Sequence, residues 1–454
     1  MPRHSFTPTL TSLAAALLLV AAVSGTVHSQ TVAAAAERRT DRIALQDYLD
    51  WEDVQDPQLS PDGKQVVFTR RWIDKMNDKW ESSLWIMSAD GSRARFLVNG
   101  ANPKWSPDGQ RIAFTNTPPT SGTPTTEKAQ IFVRWMDAEG AVTQLTHLTE
   151  TPNNIEWSPD GKWLAFTMLV PARDDWKIDM PTPPKGAKWT EAPRIVQKLT
   201  YRADRQGFIE DGNTHIFLLS ADNGGTPRQI TTGAFNHGAP RWMPDGRSIV
   251  FSGLRMSDAE YRWRESDVYR IDVASGRIAQ LTTRKGPDNN PTPSPDGRWI
   301  AYTGYDSTSD TWVDAKLYLM NADGTGQKLL LPAWDRTPIN LTWAKDGSGL
   351  YFDAESDGAR NLYFASTGGA VKPITTGKQV LAVTSINPNG SAVGVMSTAT
   401  HPNDVVGFNL RTPTAINWLT DVNGDVLMGK RLAQTEEIWF PSKDGLKIQG
   451  WIVK

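Results

Sequence analysis

Six aspartates recur at one place in a repeated phrase: Asp62, Asp108, Asp160, Asp245, Asp296 and Asp346. A regular array of carboxylates could hold cations or act in acid–base pairs. Each of these stands in a Ser-Pro-Asp-Gly-like stretch, however, where such a side chain bonds the backbone two residues on and Gly completes the turn, so the reading is turn chemistry in preference to metal binding. Other reactive residues are sparse. His147, His215, His237 and His401 are scattered, with no ligand-like neighbour at helical spacing, and there is no Cys. No H-E-x-x-H, G-x-S-x-G or Walker loop occurs, which argues against zinc-helix, nucleophile-elbow and nucleotide chemistry. No metal or cofactor is expected, and no catalytic residue can be named. The binding candidates are Arg202, Arg205, Glu210 and Asp211, able to recognise the charged end of a peptide, or else to form an ordinary solvated loop.

The elements that must position such residues can be read from the repeats. The phrase reads "LSPDGKQVVFT", "WSPDGQRIAFT", "WSPDGKWLAFT", "WMPDGRSIVFS", "PSPDGRWIAYT", "WAKDGSGLYFD" and "INPNGSAVGVM". Its glycines, Gly63, Gly109, Gly161, Gly246, Gly297, Gly347 and Gly390, are spaced by 46, 52, 85, 51, 50 and 43 residues. The run after each turn is apolar at consecutive positions, so the strand must be covered on both faces. A second strand pair comes next, as in "LWIMSADGSRARFLV" and "VYRIDVASGRIAQLT". Four short antiparallel strands per period of about 50 residues match propeller blades and exclude shorter repeats.

The expected fold is therefore all-β, a seven-bladed β-propeller of four-stranded antiparallel blades over residues 43–430. Each blade is whole in sequence order, so the seam between first and last is expected to be held by face packing, without a donated strand. Trp105, Trp157, Trp242 and Trp343 are placed to fill the gaps between blades, with a ligand-stacking ring as the competing role. The long interval contains an insertion rich in charge, Pro and Trp; smaller insertions are read at Arg70–Ser83 and Gly253–Ser266. Loops of this kind on one face of a propeller often bind ligands.

With 454 residues and a formal net charge of −2, nothing suggests a nucleic-acid partner. Residues 1–36 hold "LAAALLLVAAV" and then small residues, the pattern of a secretory leader rather than a retained anchor. This implies a periplasmic or extracellular protein without stable membrane insertion, and the absence of Cys leaves stability to the core.

The succession "QDPQLSPDGKQVVFTR", the "WSPDGK" blades ending in "QLT" or "QIT", and the closing "EEIWFPSKDGLKIQGWIV" resemble the bacterial acylaminoacyl- and dipeptidyl-peptidase branch of the prolyl oligopeptidase family. The blade phrases are shared with TolB-like propellers, and the closing pattern is the more discriminating part. The resemblance implies that residues 431–454 are the first strands of an α/β-hydrolase domain whose Ser, Asp and His lie beyond Lys454. It also implies a secreted serine peptidase whose propeller gates peptide substrates. The competing expectations are a stand-alone exported propeller that binds proteins without catalysis, and a propeller enzyme with a central site of its own.

Overall fold

The computed structural model describes residues 41–118, 128–172, 181–190, 194–196 and 198–454; the leader assigned to residues 1–36 lies outside them. The chain divides into two units, residues 1–41 and 42–454, and every described strand belongs to the second. Among the described residues no helix is long and apolar enough to cross a membrane.

The architecture is all-β and built from four-stranded antiparallel meanders. The first sheet comprises Asp53–Leu59, Gln65–Asp74, Lys79–Ser88 and Arg95–Asn99 in that order, and four further sheets repeat the pattern. Their first strands are Ala101–Trp105, Asn153–Trp157, Arg241–Trp242 and Asp288–Pro293. The remaining two meanders begin at Ile339–Trp343 and Val380–Ile386 and are joined into one eight-stranded sheet by a single parallel bridge, Arg360 to Val380. The sequence predicts separate sheets here. The link between Pro373 and Val380 is short enough for the Arg360 N–H to donate to the Gln379 carbonyl at 2.9 Å, and this fuses the pair.

Consecutive apolar residues on the second strand of each meander are buried on both faces, as their pattern demands. Ile112, Ala113 and Phe114 are fully buried, as are Leu164, Ala165 and Phe166. One face packs on the preceding sheet and the other on the next one. Phe114 joins Val67 and Leu84 of the first sheet, whereas Ala113 joins Trp157 and Phe166 of the third. The last meander packs on the first in the same way, Val393 and Val405 against Val54, Val66, Phe68 and Met87. No described strand crosses that junction; side chains do. Leu59 N–H donates to Ser385 Oγ at 3.2 Å, and Asn423 exchanges hydrogen bonds with the Glu52 backbone at 2.8 and 2.9 Å.

The tryptophans before the turns are packing residues. Trp157, Trp242 and Trp343 are buried and Trp105 is partly so. Three of them also tie neighbouring sheets by donating Nε1–H to the first strand of the sheet before: Trp105 to Gln58 O, Trp157 to Lys104 O and Trp343 to Thr292 O, at 3.2, 3.0 and 2.8 Å.

The repeated aspartates sit in turns. Ser158 Oγ donates to Asp160 at 2.6 Å and accepts the Trp163 N–H at 2.9 Å, and Asp160 also accepts the Lys162 N–H. Gly161 completes the turn at φ +69°, where a side chain would be strained. The Ser158 hydroxyl is the chief reason the Asp160 carboxyl lies below its usual range. Ser158→Ala leaves the Trp163 N–H without its acceptor and is expected to cost about 1–2 kcal/mol, read as a shift in denaturation midpoint at unchanged m-value.

The segments read as insertions take three different forms. Arg70–Ser83 is no loop: the second and third strands of the first sheet remain paired to Asp74–Lys79, making one long hairpin. The large insertion leaves the third sheet between Pro171 and Gly212, which are themselves cross-strand partners, and carries a small hairpin of Arg202–Ala203 with Gly207–Phe208. The third, Gly253–Ser266, holds one short 3-10 turn, Ala259–Tyr261. At the carboxyl end, Thr435–Pro441 and Lys447–Val453 form a separate two-stranded sheet. Trp451 lies against Gly358, and Gln449 Nε2 donates to the Asp357 carbonyl at 3.0 Å. Its apolar residues Phe440, Trp451 and Val453 are exposed.

Candidate functional site: a charged cleft at the first strands

In a strand the side chains alternate between faces, so the residue before each of three turn tryptophans points away from its neighbour. Those residues are Lys104, Glu156 and Arg241. A cleft of about 250 Å³ opens there, lined by Asp56, Asn102, Lys104, Asn154, Ala239 and Arg241 among others, contributed mainly by the first strands of four successive sheets and the segments leading into them, with Thr115 from a second strand.

A bulge shapes its wall. Asn102, Asn154, Asn290 and Asn340 adopt φ of +57°, +53°, +54° and +55°, and Asp56 does so at +50°; pairing with the second strand slips at each position. Asn and Asp tolerate the left-handed region because their short polar side chains bond locally. Here Asn102, Asn154 and Asn290 donate to the hydroxyls of Thr115, Thr167 and Thr303 at 3.0, 2.9 and 3.1 Å. Asn340 donates instead to Asp353 Oδ2 at 2.7 Å.

The charges in the cleft are unequally satisfied. Arg241 binds Glu156 at 2.7 Å, and Glu156 also accepts the Trp242 N–H at 3.2 Å. Among the described residues no hydrogen bond or ion pair reaches the Lys104 ammonium. Burial pushes its pKa down, with Asp56 opposing that shift and Arg241 adding to it. The site can therefore attract an anionic group to Lys104 and Arg241 while Asp56 and Glu156 limit the net field.

The residues singled out in the insertion are not brought together. Arg202 lies over the Phe208 ring at 5.8 Å, Glu210 pairs with Lys128 at 3.5 Å, and Asp211 pairs with Lys198 at 2.5 Å. Arg205 stands at φ +65°. All four are exposed. The cleft residues escape a search for catalytic motifs, although "KW", "EW" and "RW" before three of the turns carry the signal.

Comparison with known proteins accords with this architecture. No family model matches the chain. It is 25% identical over 430 residues to the uncharacterized peptidase YuxL of Bacillus subtilis, covering 88% of this chain and 62% of the relative. Dipeptidyl-peptidase 5 of Porphyromonas gingivalis is 25% identical over 436 residues, covering 87% and 58%. The chain thus spans about three-fifths of the length of these curated relatives. Among solved structures, the Pyrococcus horikoshii acylaminoacyl peptidase superposes with a TM-score of 0.70 at 21% identity, over 90% of this chain and 58% of that one. The propeller domain of the Pyrococcus furiosus Trilobed protease, described as having an open velcro topology, superposes at 0.57 and 18% identity, over 82% and 99%. Meanders of this kind, matched along most of the chain to peptidases and to an isolated propeller domain, make the chain similar to the propeller portion of peptidases of the prolyl oligopeptidase type.

Proposed function

We propose that this chain is a seven-bladed propeller that admits extended peptides to a serine hydrolase domain in a longer, exported protein. In that protein a serine attacks the peptide carbonyl, a histidine acts as general base and an aspartate orients it; all three are expected beyond Lys454. The observation that carries the reading is the cleft at the first strands, where the Lys104 ammonium faces open space beside Arg241. Bound chain can be selected there by charge and by the width of the opening, so that folded proteins stay out. The terminal hairpin, with its exposed apolar side chains, is read as the start of the hydrolase domain. Arg202, Arg205, Glu210 and Asp211 are retained as outer contacts for charged peptide ends, and the leader as the source of export to the periplasm or beyond.

Fluorescence anisotropy with labelled tetrapeptides tests this. Losing a charged hydrogen bond costs about 1.5–3 kcal/mol, so Lys104→Met and Arg241→Ala are each expected to weaken binding roughly tenfold or more, and amidation of the peptide carboxylate should reproduce the loss. Unchanged affinity in both variants would remove the cleft from the reading. The reading frame beyond Lys454 should also encode G-x-S-x-G within about 150 residues; a stop codon there would favour the exported binding module that TolB-like propellers exemplify.

A further inference from the structure

The last meander holds a cluster that plays no part in the cleft. His401 and Asp404 lie on the strand His401–Asn409, and Asp421 comes after the strand Thr412–Trp418. One ligand atom from each of the three comes within 4.8 Å of the others, the only such group among the described residues. This corrects the sequence reading, which gives His401 no ligand-like neighbour at helical spacing: Asp404 stands three residues on, and Asp421, more distant in the chain, is returned to it by an antiparallel hairpin.

Asp404 has a structural task on one oxygen only. Its Oδ1 accepts from Thr420 Oγ at 2.5 Å and from the Val422 N–H at 3.1 Å. Residues at the same place in other meanders do likewise, and their remaining polar atoms are also used: Asp267 takes Thr282 on one oxygen and Gln280 on the other, and Asn361 takes Thr375 and Gln379 while donating to Gly377. Asp404 differs. Its side chain is 0% exposed and its Oδ2 has no hydrogen-bond partner. A buried carboxylate oxygen left open is costly, and this one faces His401, 3.8 Å from Nδ1.

Protonation of His401 does not solve the problem. Nδ1 lies 2.9 Å from the Pro402 carbonyl, so its hydrogen is directed there. The second hydrogen of an imidazolium, on Nε2, would face Asp421 Oδ1 at 3.9 Å and still leave Asp404 Oδ2 open. A cation between the three residues satisfies both carboxylates at once. The backbone carbonyl on Nδ1 would then fix the tautomer that leaves the Nε2 lone pair free, the usual outer support of a metal-bound histidine. The Trp418 ring, stacked on His401 with centroids 4.0 Å apart, fixes the plane of the imidazole. Asp421, 68% exposed, leaves a path from solvent.

We propose that His401, Asp404 and Asp421 form a binding site for a first-row divalent cation of the zinc type. One imidazole nitrogen and two carboxylate oxygens suit zinc or manganese, whereas calcium and magnesium prefer oxygen alone. Asp404 Oδ2 stands beside Nδ1 and Asp421 Oδ1 beside Nε2, so zinc ligands at about 2.0–2.2 Å would require the imidazole to turn within its plane as well as the exposed Asp421 to swing in. Since the ion ties the end of the last meander to the strand before it, binding also stabilises this part of the fold.

The test is calorimetric titration of the metal-free full chain with zinc chloride, alongside His401→Gln and Asp421→Asn. We expect one ion per chain at this site, at least tenfold weaker binding in either variant, and a rise of several degrees in Tm with zinc that the variants lose. Asp421→Asn changes only a surface group, so it reports even if His401→Gln folds poorly. Cobalt should quench tryptophan emission in the wild type, and Trp418→Phe should remove most of that quenching. Equal zinc affinity in wild type and Asp421→Asn, no zinc binding at all, or an affinity that instead tracks His147→Gln, would overturn the assignment.

Discussion

Phe68→Ala is expected to lower the unfolding free energy by about 3–5 kcal/mol, the range for removing a buried aromatic side chain. Phe68 is 2% exposed and belongs to the apolar cluster shared by the first and last meanders. That junction is held by side chains and by the hydrogen bonds of Leu59, Glu52 and Asn423, with no described strand donated across it. The loss should therefore be local before it is global. In hydrogen exchange, protection is expected to fall first in Asp53–Leu59 and in the strands from Ser391 to Trp418, while the third and fourth sheets remain slow. Phe352→Ala, in the cluster between the fifth and sixth meanders, should cost a similar amount while leaving the junction strands protected. Uniform loss of protection in both variants would show that the junction is no weaker than the other packed faces.

Asp353→Asn is expected to change how stability depends on pH. Asp353 is fully buried, its Oδ2 accepts from Asn340 and from the Val383 N–H at 3.0 Å, and its Oδ1 has no partner. Burial raises its pKa to about 7. Between an unfolded value near about 4 and that folded value, the native state keeps a proton that the unfolded chain has released. The contribution is present in full below about pH 4 and is lost as pH rises through about 7, amounting to roughly 3–4 kcal/mol. Other buried groups are shifted too, and Asp267 and His237 bear on the same range. Asp267, raised by burial to about 6, acts in the same sense. His237, lowered by burial to about 4, acts oppositely, since its unfolded form takes up a proton first. The asparagine variant isolates the Asp353 contribution from the other two: its stability relative to wild type should rise between about pH 5 and pH 8. Urea melts at three pH values measure it, and a constant difference would place the Asp353 proton outside that window.

Much of the fold is legible in the chain because its repeat is short and redundant. Each Ser-Pro-Asp-Gly turn is local, each run after it is apolar at successive positions, and both facts survive without any neighbour. Burial of Trp157, Trp242 and Trp343 obeys the same logic, since an aromatic at the edge of a two-faced strand has only another sheet to cover it. The Arg70–Ser83 segment shows where this fails. Charged residues on an exposed hairpin extension look the same in sequence as those in a loop, and only the register to Asp74–Lys79 separates the two.

Strand patterning, the turn chemistry of the aspartates and the family likeness are thus contained in the chain itself, because each depends on residues close together in it. Which charges meet is settled only when the sheets assemble. Lys104 and Arg241 come from different sheets, far apart in sequence, yet line one cleft, and Asp421 faces His401 only because a hairpin returns it. The four charged residues of the insertion, near one another in the chain, instead go to separate partners or to solvent. Local hydrogen bonds and apolar burial are written into nearest neighbours, whereas the pairing of charges depends on the path of the backbone between them.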